Sequence, residues 1–176
     1  MTGADGEPAR EGAPGLLRRM ACFVYEGMLL FGLSLIPGAV GALYLAASAR
    51  PATPASDAVL RAFTLLLFGA YFVHFWSTRG QTLPMQTWHI RVVGPDGLPP
   101  RRARAVARFL AACLWFAPAS LIAAALGWNR WQALTAVAAG IVAWALLALL
   151  HPQRQFWHDA LCRTRLLTAR PPARRT

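Results

Sequence analysis

The stretch RRMACFVYEGMLLFG, Arg18 to Gly32, decides the fold. It opens an apolar run from about Met20 to Ala47, longer than the roughly 17–25 residues a helix needs to cross ~30 Å of hydrocarbon. A cleaved signal peptide is the competing reading, with Arg18 and Arg19 as its basic end and Ala47-Ser48-Ala49 as its cleavage site. The run far exceeds the roughly 7–15 apolar residues of such a peptide, and it carries a carboxylate, Glu26. The segment is therefore read as a retained membrane span.

Three further apolar blocks follow, over about Val59–Trp76, Val106–Leu126 and Trp131–Leu150. Each is continuously apolar rather than alternating, which excludes membrane strands and leaves helices. The expected fold is an all-α integral membrane protein with four transmembrane helices and a short cytoplasmic two-strand or loop element. Its membrane domain covers 16–168. Residues 1–15, rich in Gly, Pro and Ala, and the arginine-bearing segment 169–176 read as disordered tails.

Composition agrees. Of 176 residues 56% are hydrophobic and 14% charged, with a mean hydropathy of +0.39, which is too apolar for an ordinary soluble domain. The net charge of +11 arises from 18 basic residues, all arginine, against 7 acidic ones. The arginines lie between apolar blocks, and neither a zinc-finger spacing nor an aromatic RNA-binding signature accompanies them. Nucleic-acid binding is therefore not expected. Cys22, Cys113 and Cys162 are scattered, form no C-x-x-C and read as packing residues. No metal site or cofactor is expected: His151, His158 and Asp159 in HPQRQFWHD fit no zinc spacing. No nucleophile elbow, Ser/His/Asp set or phosphate loop is recognisable, so an enzyme is not expected either.

Orientation follows from the loops. Fifteen arginines fall on one side, in the N-terminal segment, the middle loop and the C-terminal segment, against Arg50, Arg61 and Arg130 on the other. The positive-inside rule then puts both termini and the middle loop in the cytoplasm. Trp76, Trp88, Trp128, Trp131 and Trp157 lie near span ends, as interfacial anchors do. Pro37-Gly38 and Pro118 interrupt the first and third blocks as tolerated kinks. Gly140 alone marks a candidate close packing point on the fourth.

In the middle loop, Thr82–Gln86 predicts a short interfacial helix, His89–Val93 a strand, and Gly94-Pro95-Asp96-Gly97 a turn. An isolated strand is unstable in water, so 89–93 is expected to pair with about 164–168.

Three separate segments, matching in order, then resemble one family. RRMACFVYE at 18–26, TRGQTLPM at 78–85 followed by IRVV and a turn, and WHDALCRT at 157–164 resemble the RDD family of bacterial inner-membrane proteins, named for one arginine and two aspartates. The resemblance covers about Leu16 to Thr168. It places the arginine on Arg18 or Arg19, with Arg19 favoured, the first acidic residue on Glu26 where the family usually has Asp, and the last on Asp159. Pro84 stands where the family often has Gly. The resemblance implies transport of a small solute or ion.

A carboxylate facing lipid is expensive, so Glu26 is expected to face the bundle interior or water, partnered by His74, Arg108, His158 or Asp159. Arg18 and Arg19 are expected to snorkel to the headgroups. Two readings of the charges stand side by side: a protonatable cluster of a carrier, or an ion pair that fixes helix register. Arg101, Arg102 and Arg104 enforce topology and can bind anionic headgroups. Membrane lipids, and a second copy or another membrane protein, are the expected partners. The rival to a carrier is a scaffold that binds a protein or anionic lipid through this arginine-rich face.

Overall fold

The computed structural model describes residues 13–48, 51–114, 116–148 and 156–169. The tail expectations over 1–12 and 170–176, the end of the fourth block at 149–150, and His151 lie outside these residues. In order come α1 (Leu16–Ser48), α2 (Pro54–Arg79), α3 (Leu83–Thr87), β1 (Ile90–Val93), α4 (Arg102–Cys113), α5 (Phe116–Ala125), α6 (Arg130–Leu147), α7 (Trp157–Leu161) and β2 (Arg165–Thr168).

Four stretches among the described residues are long and apolar enough to cross a membrane: α1, α2, Arg102–Ala125 and α6. Their apolar side chains mostly face outward, with Leu43, Leu66 and Leu121 each about 70% exposed. In water such a surface would aggregate; in lipid it is the favourable arrangement.

Local chemistry sets the ends. Thr53 caps α2, accepting from the Ser56 amide while Ser56 Oγ accepts from the Thr53 amide, and Pro54 stands where its missing N–H costs nothing. Asn129 and Gln132 form the same reciprocal box on α6. Gly80 ends α2 with φ of 69°, the left-handed conformation that a helix C-terminus favours in glycine. The third block is described as α4 and α5 on either side of residue 115, with Pro118 in α5, and α1 runs on through Pro37. It also starts at Leu16, four residues before the apolar run, which puts Arg18 and Arg19 inside the helix.

The middle loop and the chain's last described segment meet as expected, one residue shorter at each N-terminal end. Strands β1 and β2 pair antiparallel, with Ile90 opposite Thr168 and Val93 opposite Arg165. The Gly94–Gly97 turn closes with the Gly97 amide donating to Gly94 O and the Gly94 amide to Leu98 O. Beneath this sheet lies the best-buried part of the molecule: Trp76, Met85, Ile90, Val92, Ala105, Phe109 and Leu166, with Cys22 from α1. Within the span region α1 packs on α2, α2 on α4, and α5 on α6, where Gly140 faces the Ala119 methyl. The tightly packed end is thus the end carrying α3, the sheet and α7.

Candidate functional site

At that end four charged side chains are buried together: Arg19 (4% exposed), Glu26 (7%), Arg108 (5%) and Asp159 (0%). Two cations and two anions give a set without net charge, the condition under which burial of ions is least costly.

Glu26 points from α1 between α2 and the start of α3. Tyr71 Oη donates to its Oε1 at 2.7 Å and Thr82 Oγ1 to its Oε2 at 2.6 Å. Thr82 is also the N-cap of α3, accepting from the Met85 amide, so the short helix holds the hydroxyl against the carboxylate. Pro84 lies in the first turn of α3, a place that suits its fixed φ. None of the expected partners binds Glu26 directly. His74 is exposed on the lipid side of α2, Arg108 stands within coulombic range only, and His158 and Asp159 belong to the second half of the cluster.

That second half joins α4 to α7. Arg108 donates from Nε to Asp159 Oδ1 at 2.8 Å, and its Nη2 lies 2.7 Å from the same oxygen. The guanidinium lies over the Trp76 ring, 4.1 Å from its centroid. Trp76 is therefore a buried lid rather than the interfacial anchor its position suggested, whereas Trp88, Trp128, Trp131 and Trp157 are exposed as expected. Asp159 is held by the turn after α7, where its carbonyl accepts from the Thr164 amide at 2.8 Å and hydroxyl at 3.2 Å.

The two arginines of the first motif part company. Arg18 is half-buried and donates through Nε to Trp88 O at 2.5 Å and through Nη2 to His89 O, clamping α1 to the middle loop. Arg19 does not snorkel. It turns inward, its guanidinium 4.7 Å from the centre of the Phe156 ring and within coulombic range of Asp159. Snorkelling fails for Arg19 because α1 starts at Leu16 and the residue lies inside the helix, against Phe156.

His158 lies beside the Arg108–Asp159 pair. It lies between Trp144, 6.1 Å away and stacked, and Phe156, 5.5 Å away and nearly parallel. Burial holds its imidazole below the usual histidine range; Asp159 opposes this and Arg108 adds to it. Its Nε2 is 3.4 Å from Asp159 Oδ1, a weak contact to an oxygen Arg108 already occupies, so the neutral ring is favoured.

Several polar atoms in the cluster are buried without a hydrogen-bond partner: Arg19 Nε and Nη1, Asp159 Oδ2 and His158 Nδ1. Donors and acceptors thus stand unused in one small region, which natural interiors rarely tolerate without water or a ligand. Among the described residues no three His, Cys, Asp or Glu side chains converge as a metal site would require.

Residues 13–163 match the sequence profile of the RDD family. The chain belongs to the RDD family. It is a membrane protein of that family with four membrane-crossing helical stretches among its described residues. No curated protein and no solved structure matches it. In this RDD protein the motif positions Arg19 and Asp159 share one pocket with Arg108 and His158, while Glu26 sits in a hydroxyl cage beside it. Sequence reading missed Tyr71 and Thr82. A tyrosine inside an otherwise Phe- and Leu-rich span, and a threonine preceding Leu-Pro as a helix cap, were the available signals. Arg101 and Arg102 are exposed and Arg104 half-buried at the start of α4, apart from the cluster.

Proposed function

We propose that the protein is a small carrier, or a subunit of one, for a polar solute or ion, and that the Arg19–Glu26–Arg108–Asp159 cluster is its exchanging site. The observation that supports this most is the buried hydrogen-bonding capacity left unused on Arg19, Asp159 and His158. A purely structural ion-pair set gains most when every lone pair and proton is engaged. A site that takes up and releases water, a proton or a solute needs positions in reserve. Glu26 fits such a cycle: as a carboxylate it accepts from two hydroxyls, and on gaining a proton it must turn one of them from donor to acceptor.

In this reading the chain lies in the bacterial inner membrane with its termini and middle loop cytoplasmic, as the arginine distribution favours. Two or more copies assemble, because four spans without an internal repeat offer little room for alternating access. No covalent chemistry is involved. Reporter fusions at each terminus test the orientation. Proteoliposome fluxes of Na⁺ and H⁺ in wild type, Glu26→Gln and Asp159→Asn test the activity, with insertion checked in each. Flux in wild type that both inserted variants lose supports the carrier.

The second reading is a scaffold that binds a protein or anionic lipid through Arg101, Arg102 and Arg104, supported by the exposure of Arg101 and Arg102. It predicts no flux, and loss of partner or vesicle binding when these arginines become Gln.

A further inference from the structure

The seam between α1 and α2 closes at two levels and opens between them. At one level Gly41 meets Leu60 so closely that a Cβ there would lie 2.6 Å from Leu60 Cδ1. At the other Tyr71 binds Glu26. Between them is a groove of about 430 Å³, within the range of ligand-sized sites. Its walls are Pro37 and Gly38 from α1 and Thr64, Leu65 and Phe68 from α2. Gly38 leaves the groove unfilled, since a Cβ placed on it would meet nothing within 4 Å.

The groove has a polarity of its own. The hydroxyls along it are engaged with their own helices, Ser34 Oγ donating to Phe31 O at 2.6 Å and Thr64 Oγ1 to Leu60 O at 2.8 Å. Its lining therefore behaves as apolar except at Arg61. Arg61 stands ~10 Å along α2 from its start, at the depth from which a long cation reaches the headgroup layer. It forms no ion pair with any described residue, including Asp57 one turn earlier. The nearest membrane surface is that of the α1–α2 connection, opposite the buried charge cluster.

We propose that this groove is a phospholipid site, with the lipid phosphate on Arg61 and one acyl chain lying along Gly38, Leu65 and Phe68. A cation at the headgroup end and an apolar trough running inward match the polarity of a phospholipid in that leaflet. A polar solute would find no free hydrogen-bonding group beyond Arg61. A helix from a second copy would fill the trough but bring no phosphate to Arg61, so it is the less favourable occupant. The site is independent of the carrier reading.

Native mass spectrometry of the full chain, released from mild detergent after addition of phosphatidylglycerol, tests it. Wild type should retain one phospholipid per chain. Arg61→Gln should lower retention about fivefold, the factor that one arginine at a lipid surface represents. Gly38→Leu, which fills the trough, should lower it similarly, and Arg61→Lys should restore most of the loss. A second arm needs no variant: a phospholipid with a photoactivatable acyl chain, added near-stoichiometrically to wild type, should label 34–38 and 60–68. Absence of retained lipid, retention unchanged in both variants, or label confined to other segments such as 101–104 would overturn the proposal. So would a wild-type dimer that Gly38→Leu converts to monomer, which assigns the groove to a second copy.

Discussion

Arg108 directs two nitrogens at one oxygen of Asp159, Nε at 2.8 Å and Nη2 at 2.7 Å, and leaves the other oxygen without a hydrogen bond. The pair crosses 51 residues of sequence and fastens α4 to α7. Removing either member alone strands a buried charge. Arg108→Gln and Asp159→Asn should each cost about 3–5 kcal/mol of stability, read by denaturant or thermal unfolding in detergent. The double variant should lose clearly less than the sum of the two. Simple additivity would show that the two charges are not coupled.

The two hydroxyls on Glu26 should behave as supports of the carboxylate. Tyr71→Phe and Thr82→Val each remove one donor and should cost about 1–3 kcal/mol. A double-mutant cycle of Tyr71→Phe with Glu26→Gln should give a coupling above about 0.5 kcal/mol. A coupling near zero would mean that the hydroxyl touches the carboxylate without stabilising it.

His158 supplies a pH dependence of known sign. Its folded-state pKa is lowered by burial, so between the unfolded value of about 6.5 and the lower folded one the unfolded chain binds more protons. Stability should therefore be complete above about pH 6.5 and fall as the pH drops below it. His158→Phe keeps the ring stack between Trp144 and Phe156 but cannot titrate. Melting curves should show wild type losing stability relative to this variant between about pH 6.5 and 5.5. Parallel loss in the two would mean that His158 is not the group responsible.

Gly80 and Gly97 both have positive φ, 69° and 74°, but differ in surroundings. A Cβ on Gly97 meets nothing within 4 Å, whereas one on Gly80 would lie 2.7 Å from the Val92 carbonyl oxygen. Gly97→Ala should cost about 1–2 kcal/mol, the left-handed penalty alone. Gly80→Ala should cost more, because the amide of Val92 also donates to Gly80 O at 2.8 Å and the strand cannot retreat without losing that bond. Equal losses measured by unfolding would mean that β1 adapts.

Much of the fold is legible in the chain because lipid imposes a simple demand: continuous apolar length makes the spans. The sheet was legible too, since His89–Val93 needed a partner and 164–168 was the available one. The cluster was only partly so. Arg19, Glu26 and Asp159 were named from a motif, but motif spacing carries no information about which side chain meets which. Depth along a helix pointed to Arg108 as a partner of Glu26. The structure gives Arg108 to Asp159 instead, because α7 packs against α4, a contact that depth along a helix does not announce. Likewise Trp76 reads as an anchor by position, yet an arginine from the next span covers it.

The pairing of Arg108 with Asp159 also bears on how the protein is made. When Arg108 enters the membrane, the segment bearing Asp159 has not yet been synthesised, and β2, which closes over β1, comes later still. Until then Arg108 lacks its ion-pair partner and has only the Trp76 ring and, at longer range, the Glu26 carboxylate. The ion pair that fastens α4 to α7 therefore forms only after all four described spans have been made. A chain cut short before α7 should insert its spans and yet be short-lived in the cell, a difference that pulse-chase labelling can read.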